Sequence, residues 1–324
     1  MLGITCPTFH QNTRSTKDFF EGLKYIRMQL AKYKTLDIIK LNCFNIINML
    51  LNSSEFSVRS ASAQDIPALV DIDMISFRKV YEEYPSDSDS LKAELVDKFT
   101  HRHEILGSEW TSVLEQRGEP VGFMTSCPTH KTPESFVSWE ETTNNGTLDG
   151  TFNSEGDNVY VTSLSVLPKG TSAKGMLFAH QLGNSLKGGY KEAFFESRMP
   201  GLRNWLKSQC AQAGVEFETL DEEQVQSFAE QYFQLNETIN PSELPHDRLL
   251  RLYKSIGCTL LKLVPDAYQD AESLNYGVLC TYNFEEQLGN IISSRIAKYS
   301  SIRKFAGYAL RATSHSELMS KHLF

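Results

Sequence analysis

VYVTSLSVLPKGTSAKG, residues 159–175, decides the fold. It reads as an apolar strand that runs into Pro168, then a small glycine-bearing loop, then at once the helix MLFAHQLGNSLKGG. A strand feeding such a loop leaves a row of backbone N–H groups at the next helix N-terminus. Those first-turn donors lack partners within the helix and the helix dipole is positive there, so the turn attracts phosphate. A phosphorylated cofactor held by main chain is the first expectation.

Working outward, Glu55–Ser60 reads as a short strand with Phe56 and Val58 on one face. A helix is predicted over Ala63–Val80, with Pro67 in its first turn and Asp65 near its start, both favourable there. The polar break YPSDSDS (84–90) precedes a second helix near Leu91–Leu106. Strands Thr111–Gln116 and Pro120–Ser126 flank the turn residues Arg117–Glu119 as a hairpin. Residues 128–157, rich in Thr, Asn, Gly and Glu, read as a long exposed insertion. A strand at Glu192–Ser197 follows the 159–175 segment. Helices are then predicted at Leu202–Ala213, Asp221–Leu235 and Pro245–Ile256, and strands at Cys258–Val264 and Tyr276–Tyr282. The pattern is a mixed α/β domain over 55–285. Before it, residues 1–54 carry an apolar stripe at helical spacing (Phe19, Phe20, Leu23, Ile26, Leu30). That stripe is expected to form a helical extension that docks on the main domain or on a second subunit of a homodimer.

Composition narrows the function. The 324 residues are 40% hydrophobic and 22% charged, as in a globular protein with a full core. A formal net charge of -8 gives a nucleic-acid partner no general electrostatic help. The C-terminal segment 286–324 is basic, with Arg295, Lys298, Arg303, Lys304, Arg311 and Lys321 against Glu317, and reads as a helix and tail with a solvated face. Six cysteines lie scattered without CxxC spacing, which favours reduced thiols over disulfides or a zinc site. No basic-then-apolar leader opens the chain, and Leu36–Leu51 is too short and too polar to span a bilayer. The expectation is a cytoplasmic protein with no metal, no membrane partner and no nucleic acid.

The segment FSVRSASAQDIPALVDIDMISF (56–77) resembles the opening strand and helix of GNAT-superfamily acyltransferases, which commonly read V-R-x-A-x-x-x-D. VTSLSVLP (161–168) is similar to the superfamily's central strand, and RLYKSIGC (251–258) to its Y-x-x-x-G-F. LLKLVPDAYQDAESLNYGVLCTYN (260–283) resembles a longer subgroup that includes the GNAT-like loading domains of polyketide synthases. The resemblance covers about 55–285. It implies a mostly antiparallel mixed sheet flanked by helices, with two neighbouring strands splayed to admit acetyl-CoA or another acyl-CoA. The implied acyl and pantetheine contacts are the backbones of Leu164 and Val166. The segment with Lys169, Gly170, Thr171, Ser172, Lys174 and Gly175 then faces the pyrophosphate. The family motif there is R/Q-x-x-G-x-G/A, whereas this loop reads KGTSAKGML, with Lys174 and Met176 at the glycine positions.

The resemblance also assigns candidate catalytic residues. Tyr253 stands where many members place a tyrosine that protonates the departing thiolate; it is equally an aromatic beside Leu249, Leu250 and Leu252. Thr162 matches the central-strand threonine of malonyl-type decarboxylases, but the next strand, KEAFFESRMPG, has no histidine. There Glu196 is a candidate general base and Arg198 a candidate ligand for a substrate carboxylate, or the two pair with local charges. His246 borders the acceptor side in this fold, while His180 is expected to pack within its helix. His101 and His103, two apart on a helix, make a poor metal pair. Trp110 and Trp139 either line an acceptor pocket or pack in the core. The function implied first is acyl-CoA-dependent N-acyl transfer to a small-molecule amine. The alternatives are decarboxylation of a malonyl-type thioester, S-acyl transfer to a carrier protein, and a degenerate binding module.

Overall fold

The computed structural model describes residues 55–81, 87–238 and 246–287. The predicted N-terminal helical extension and the basic tail beyond residue 287 lie outside the described residues. Seven strands form one sheet: β1 Phe56–Ser60, β2 Thr111–Gln116, β3 Glu119–Thr129, β4 Asn158–Val166, β5 Glu192–Arg198, β6 Thr259–Val264 and β7 Gly277–Asn283. Their order across the sheet is β1-β2-β3-β4-β5-β7-β6. Every neighbouring pair is antiparallel except β4 with β5. The turn between β2 and β3 uses Arg117 (φ 54°) and Gly118 (φ 86°), the left-handed pair that suits the twist of a tight hairpin.

Alternation along β2 and β3 sorts the helices into two layers. Val113 and Phe123 turn to a cluster built with helices α1 (Ile66–Ser76) and α2 (Ser88–Leu106). Their neighbours Leu114 and Met124 turn the other way, onto α3 (Lys174–Gly188), where Met176 and Leu177 are fully buried. The helix predicted over 63–80 is interrupted at Phe77, after which Arg78–Tyr81 makes a separate turn. That break lets Tyr81 donate its hydroxyl to buried Asp73 at 2.5 Å, and Ser165 of β4 donates to the same carboxylate at 3.1 Å. His180 is buried as expected, with its Nδ1 2.7 Å from Ser112 Oγ.

The insertion 128–157 differs from the exposed loop expected. Phe136, Thr142, Thr143, Leu148 and Thr151 are buried, and a one-turn helix, Trp139–Thr143, sits within it. Asn144, Asn145, Gly146, Leu148 and Gly150 all adopt positive φ. The Thr, Asn and Gly content that reads as loop is here turn chemistry that closes the segment on itself. Arg102 of α2 donates to the Gly146 carbonyl and fixes the insertion to the domain. Any side chain at Gly146 would run into Arg102 and Trp139.

After β5 come α4 (Leu202–Ala213), α5 (Glu222–Glu237) and α6 (Arg248–Ser255). Asp247 ties them together. Fully buried, it caps α6 by accepting from the Leu249 and Leu250 amides, and it also accepts from Gly201 N–H and the Tyr232 hydroxyl.

Candidate active site

β4 and β5 pair over three residues only: Asn158 with Glu192, Val159 with Ala193, and Tyr160 with Phe194. Beyond that point each strand keeps its outer neighbour. β4 stays paired with β3 as far as Val166, and β5 with β7 as far as Arg198. The inner edges, from Val161 and Phe195 onward, therefore open as a fork. A bulge marks its apex: Ser126 opposes Val161 and Thr125 opposes Ser163, so Thr162 is the extra residue on β4. A bulge bends its strand and re-aims its backbone groups, which is the local cause of the parting. The candidate contacts Leu164 and Val166 lie on this stretch of β4 that β5 does not pair.

The face of the fork toward α3 is apolar. Tyr253 of α6 lies with its ring centroid 4.6 Å from Phe195 and 6.4 Å from Phe178. Burial holds its hydroxyl well above the ordinary phenol range. Tyr253 is thus a core aromatic that packs against Phe195 of β5 at the fork.

The opposite face carries the polar groups. Glu196 stands two residues beyond the last β5 pair, pushed up to about 9 by burial and, to a lesser degree, by the nearby charge of Glu140. Neither of its oxygens has a hydrogen-bond partner among the described residues, nor do the hydroxyls of Thr162 and Tyr160. Tyr160 and Tyr268 are both raised by burial first and by Glu196 second. Gly277 lets the Glu196 side chain in, because a Cβ there would stand 2.8 Å from its Oε1. The insertion reaches this face too: Trp139 donates its indole N–H to the Thr162 carbonyl at 3.1 Å. At neutral pH the group intended as a general base is therefore a neutral acid, enclosed among aromatic rings.

Several candidates stand differently from expectation. Arg198 is not available to a substrate carboxylate; it holds Asp270 through two bonds of 2.8 and 2.7 Å, with Glu272 at 3.6 Å. This is the local pairing of the bland alternative, and it locks the acidic loop before β7 onto β5. Trp110 is a core residue, 8% exposed and edge-on to Tyr190 at 5.3 Å. His246 is exposed beside the Asp247 cap, and no contact with the fork residues is seen among the described residues.

The segment beyond β4 is also more closed than a glycine loop. Pro168–Ala173 winds as a 3₁₀ turn, with Gly170 N–H bonded to the Leu167 carbonyl at 2.8 Å, and passes directly into α3. Gly170 is required by packing: a Cβ would meet Val121 at 2.9 Å and Val166 at 3.0 Å. Lys169 is exposed, and Gly175 is buried in the first turn of α3. Thr171 and Ser172 lie in the 3₁₀ turn. Met176 and Leu177 are buried in the core cluster against which Val161, Leu164 and Val166 of β4 pack. Lys174 is half-buried, and its ammonium is lowered by burial first and by the charge of Arg248 second. Sequence reasoning missed Arg248, since the pairing of two cations so far apart in the chain has no local signal. It also missed Tyr160 and Tyr268, which read as ordinary strand and loop aromatics.

No family model and no curated protein matches the sequence. Among solved structures, the loading GNATL domain of CurA from Lyngbya majuscula matches with a TM-score of 0.50 at 14% identity, covering 71% of this chain and 98% of that one. The GphF GNAT-like decarboxylase, in complex with isobutyryl-CoA, gives 0.48 at 16% identity over 70% of this chain and 98% of that one. A malonyl-CoA decarboxylase from Rhodopseudomonas palustris gives 0.47 at 12% identity over 83% and 70% of the respective chains. The chain has the GNAT-like fold, with its mostly antiparallel sheet flanked by helices. At these identities what is shared is the fold. Among the described residues no group of His, Cys, Asp and Glu could hold a metal, and no helix is long and apolar enough to cross a membrane.

The enclosed carboxyl sets a pH-dependent stability. Glu196 keeps its proton in the folded chain up to about 9, while an unfolded chain loses it near 4.5. Between those values the folded state binds more protons, so stability falls as pH rises, by up to about 1.4 kcal/mol per pH unit. Glu196→Gln removes the titration. Urea unfolding from pH 5 to 9 is expected to show the variant gaining steadily on the parent; a constant difference would mean the carboxyl is solvated.

Proposed function

We propose that this chain is an acyl-CoA-dependent acyltransferase that moves an acyl group to an amine by direct attack on the thioester. One observation carries this: β4 and β5 part at the Thr162 bulge while each keeps its outer neighbour. Two strand edges that do not pair each other need other partners for their backbone groups. A thin, amide-bearing pantetheine arm supplies them. The thioester carbonyl then lies against β4 beyond the bulge, where the Leu164 and Val166 amides hold its oxygen as charge develops. At the wide end the diphosphate meets Lys174, Gly175 and the backbone of residues 169–172. Arg248 helps there, because an anion between it and Lys174 relieves the repulsion that lowers the lysine.

Glu196 and Tyr253 divide the proton transfers from opposite faces of β5. A carboxyl pushed up to about 9 is a far stronger base than an ordinary carboxylate. Its cost is that only about one molecule in a hundred is ionised at pH 7. As the amine nitrogen bonds to the carbonyl carbon, the carbonyl electron pair moves to oxygen. Collapse breaks the C–S bond; Glu196 takes the ammonium proton and Tyr253 donates its phenolic proton to the thiolate. The acceptor side is walled by the insertion, through Trp139, and by Tyr268. A small amine is the acceptor we infer, with a carrier-protein thiol as its counterpart in S-acyl transfer.

The neutral, unpartnered state of Glu196 beside Thr162 favours a second reading, decarboxylation of a malonyl-type thioester. Loss of CO2 leaves a carbanion conjugated with the thioester, the same backbone amides hold its oxygen, and Glu196 gives its proton to carbon.

The pH dependence separates the two. Acyl transfer needs Glu196 ionised, so kcat/KM rises toward pH 9; decarboxylation needs it protonated, so CO2 release is flat at neutral pH and falls above about 9. Glu196→Gln is expected to cost roughly a hundredfold in either reaction and to remove the slope assigned to the carboxyl. A variant that kept both rate and slope would exclude Glu196 from the chemistry. Lys174→Ala with Arg248→Ala is expected to weaken CoA itself, read as a smaller thermal shift at fixed CoA concentration; an unchanged shift would place the diphosphate elsewhere.

A further inference from the structure

On the α3 face the fork adjoins a narrow cleft of about 50 Å³, lined by residues of β4, β5, β7 and α3. Val161 and Phe195, the first residues past the last β4–β5 pair, stand at its mouth. Behind them the cleft runs back beneath the part of the ladder that remains closed, along Val159 and Ala193, with Leu182 of α3 on one side and Tyr282 of β7 on the other. Its wall is overwhelmingly apolar. Of its polar side chains, Gln181 donates its amide to Ser112 Oγ at 2.7 Å and Ser185 donates to the Gln181 backbone carbonyl at 2.9 Å, while Gln181 Oε1 and Ser126 Oγ have no hydrogen-bond partner among the described residues.

We infer that this cleft takes the alkyl part of the acyl group, so that the preferred thioester carries a medium-length chain and not acetyl. The inference rests on the acyl-CoA reading above and names its substrate class. A thioester carbonyl held on β4 just past the Thr162 bulge has the cleft mouth at Val161 immediately beside it. From there a chain runs inward past Val159, about 7 Å deeper at the rise of an extended strand, which an extended chain of about six carbons spans. Among the described residues no charged group lines the cleft, so a free carboxylate at the far end of the chain gains nothing from them.

Isothermal calorimetry on the full chain, without acceptor, tests this with CoA, acetyl-CoA, hexanoyl-CoA and octanoyl-CoA. Each methylene buried in such a cleft improves affinity by about fourfold until the cleft is full. Octanoyl-CoA is therefore expected to bind at least about tenfold tighter than acetyl-CoA. Ala193→Phe fills the deep end and is expected to bring octanoyl-CoA down to the acetyl-CoA level while leaving CoA and acetyl-CoA unchanged. Leu182→Trp, from the helix side, makes the same test if the strand variant does not fold. Equal affinities for acetyl-CoA and octanoyl-CoA, or variants that keep the octanoyl advantage, would overturn the inference and leave the acyl-CoA reading standing. Failure of CoA and every ester to bind would remove both.

Discussion

A β-strand with two neighbours is ordinarily laddered along both edges, because unpaired backbone groups inside a protein are costly. β4 and β5 break this rule together. Their outer edges stay paired to β3 and β7, so neither strand can swing to close the gap without losing a longer ladder. Thr162 supplies the bend, and the Trp139 indole fixes the carbonyl of that same residue. The gap is thus held open by the rest of the sheet, and the placement of every candidate residue follows from it.

The groups around the apex divide by face. Toward α3 the fork is lined by phenylalanines with Tyr253 beside them; toward the insertion it holds Glu196, Tyr160 and Thr162, whose side-chain oxygens have no hydrogen-bond partner among the described residues. A carboxyl in that second setting is destabilising to the folded chain wherever it must ionise, and a protein tolerates such a group where chemistry uses it. Gly277 carries the same message from the other side, since the room taken by Glu196 is room a side chain would need. Arg198, two residues on, holds the acidic loop, and burial keeps the Glu196 carboxyl neutral.

Much of the fold is legible in the sequence. The apolar run 159–166 and the strands expected at Cys258–Val264 and Tyr276–Tyr282 are located to within a residue or two, while β3 runs three residues past the expected Ser126. The break at Phe77 is not legible, because it is set by the distant partners of Asp73 and Tyr81. The insertion misleads for a related reason: residues that favour left-handed turns look like loop until Arg102 is found anchoring them. At the site, Glu196 lies on the face of β5 opposite to Phe195, against which Tyr253 packs. Trp110 belongs to the core instead, Gly170 packs its Cα face against Val121 and Val166, and the charge of Arg248 acts on Lys174 across the fold, which no local pattern encodes.

The open inner edge of β4 is the claim on which the rest stands, and amide hydrogen exchange reads it residue by residue. On adding a saturating non-hydrolysable acyl-CoA analogue, the amides of Leu164 and Val166 should gain protection while those of Ser163 and Ser165, on the edge laddered to β3, and of Asn158–Tyr160, where β5 is paired, change little. Protection confined to other strands, or none in β4 while the analogue is bound, would contradict a thioester site between β4 and β5.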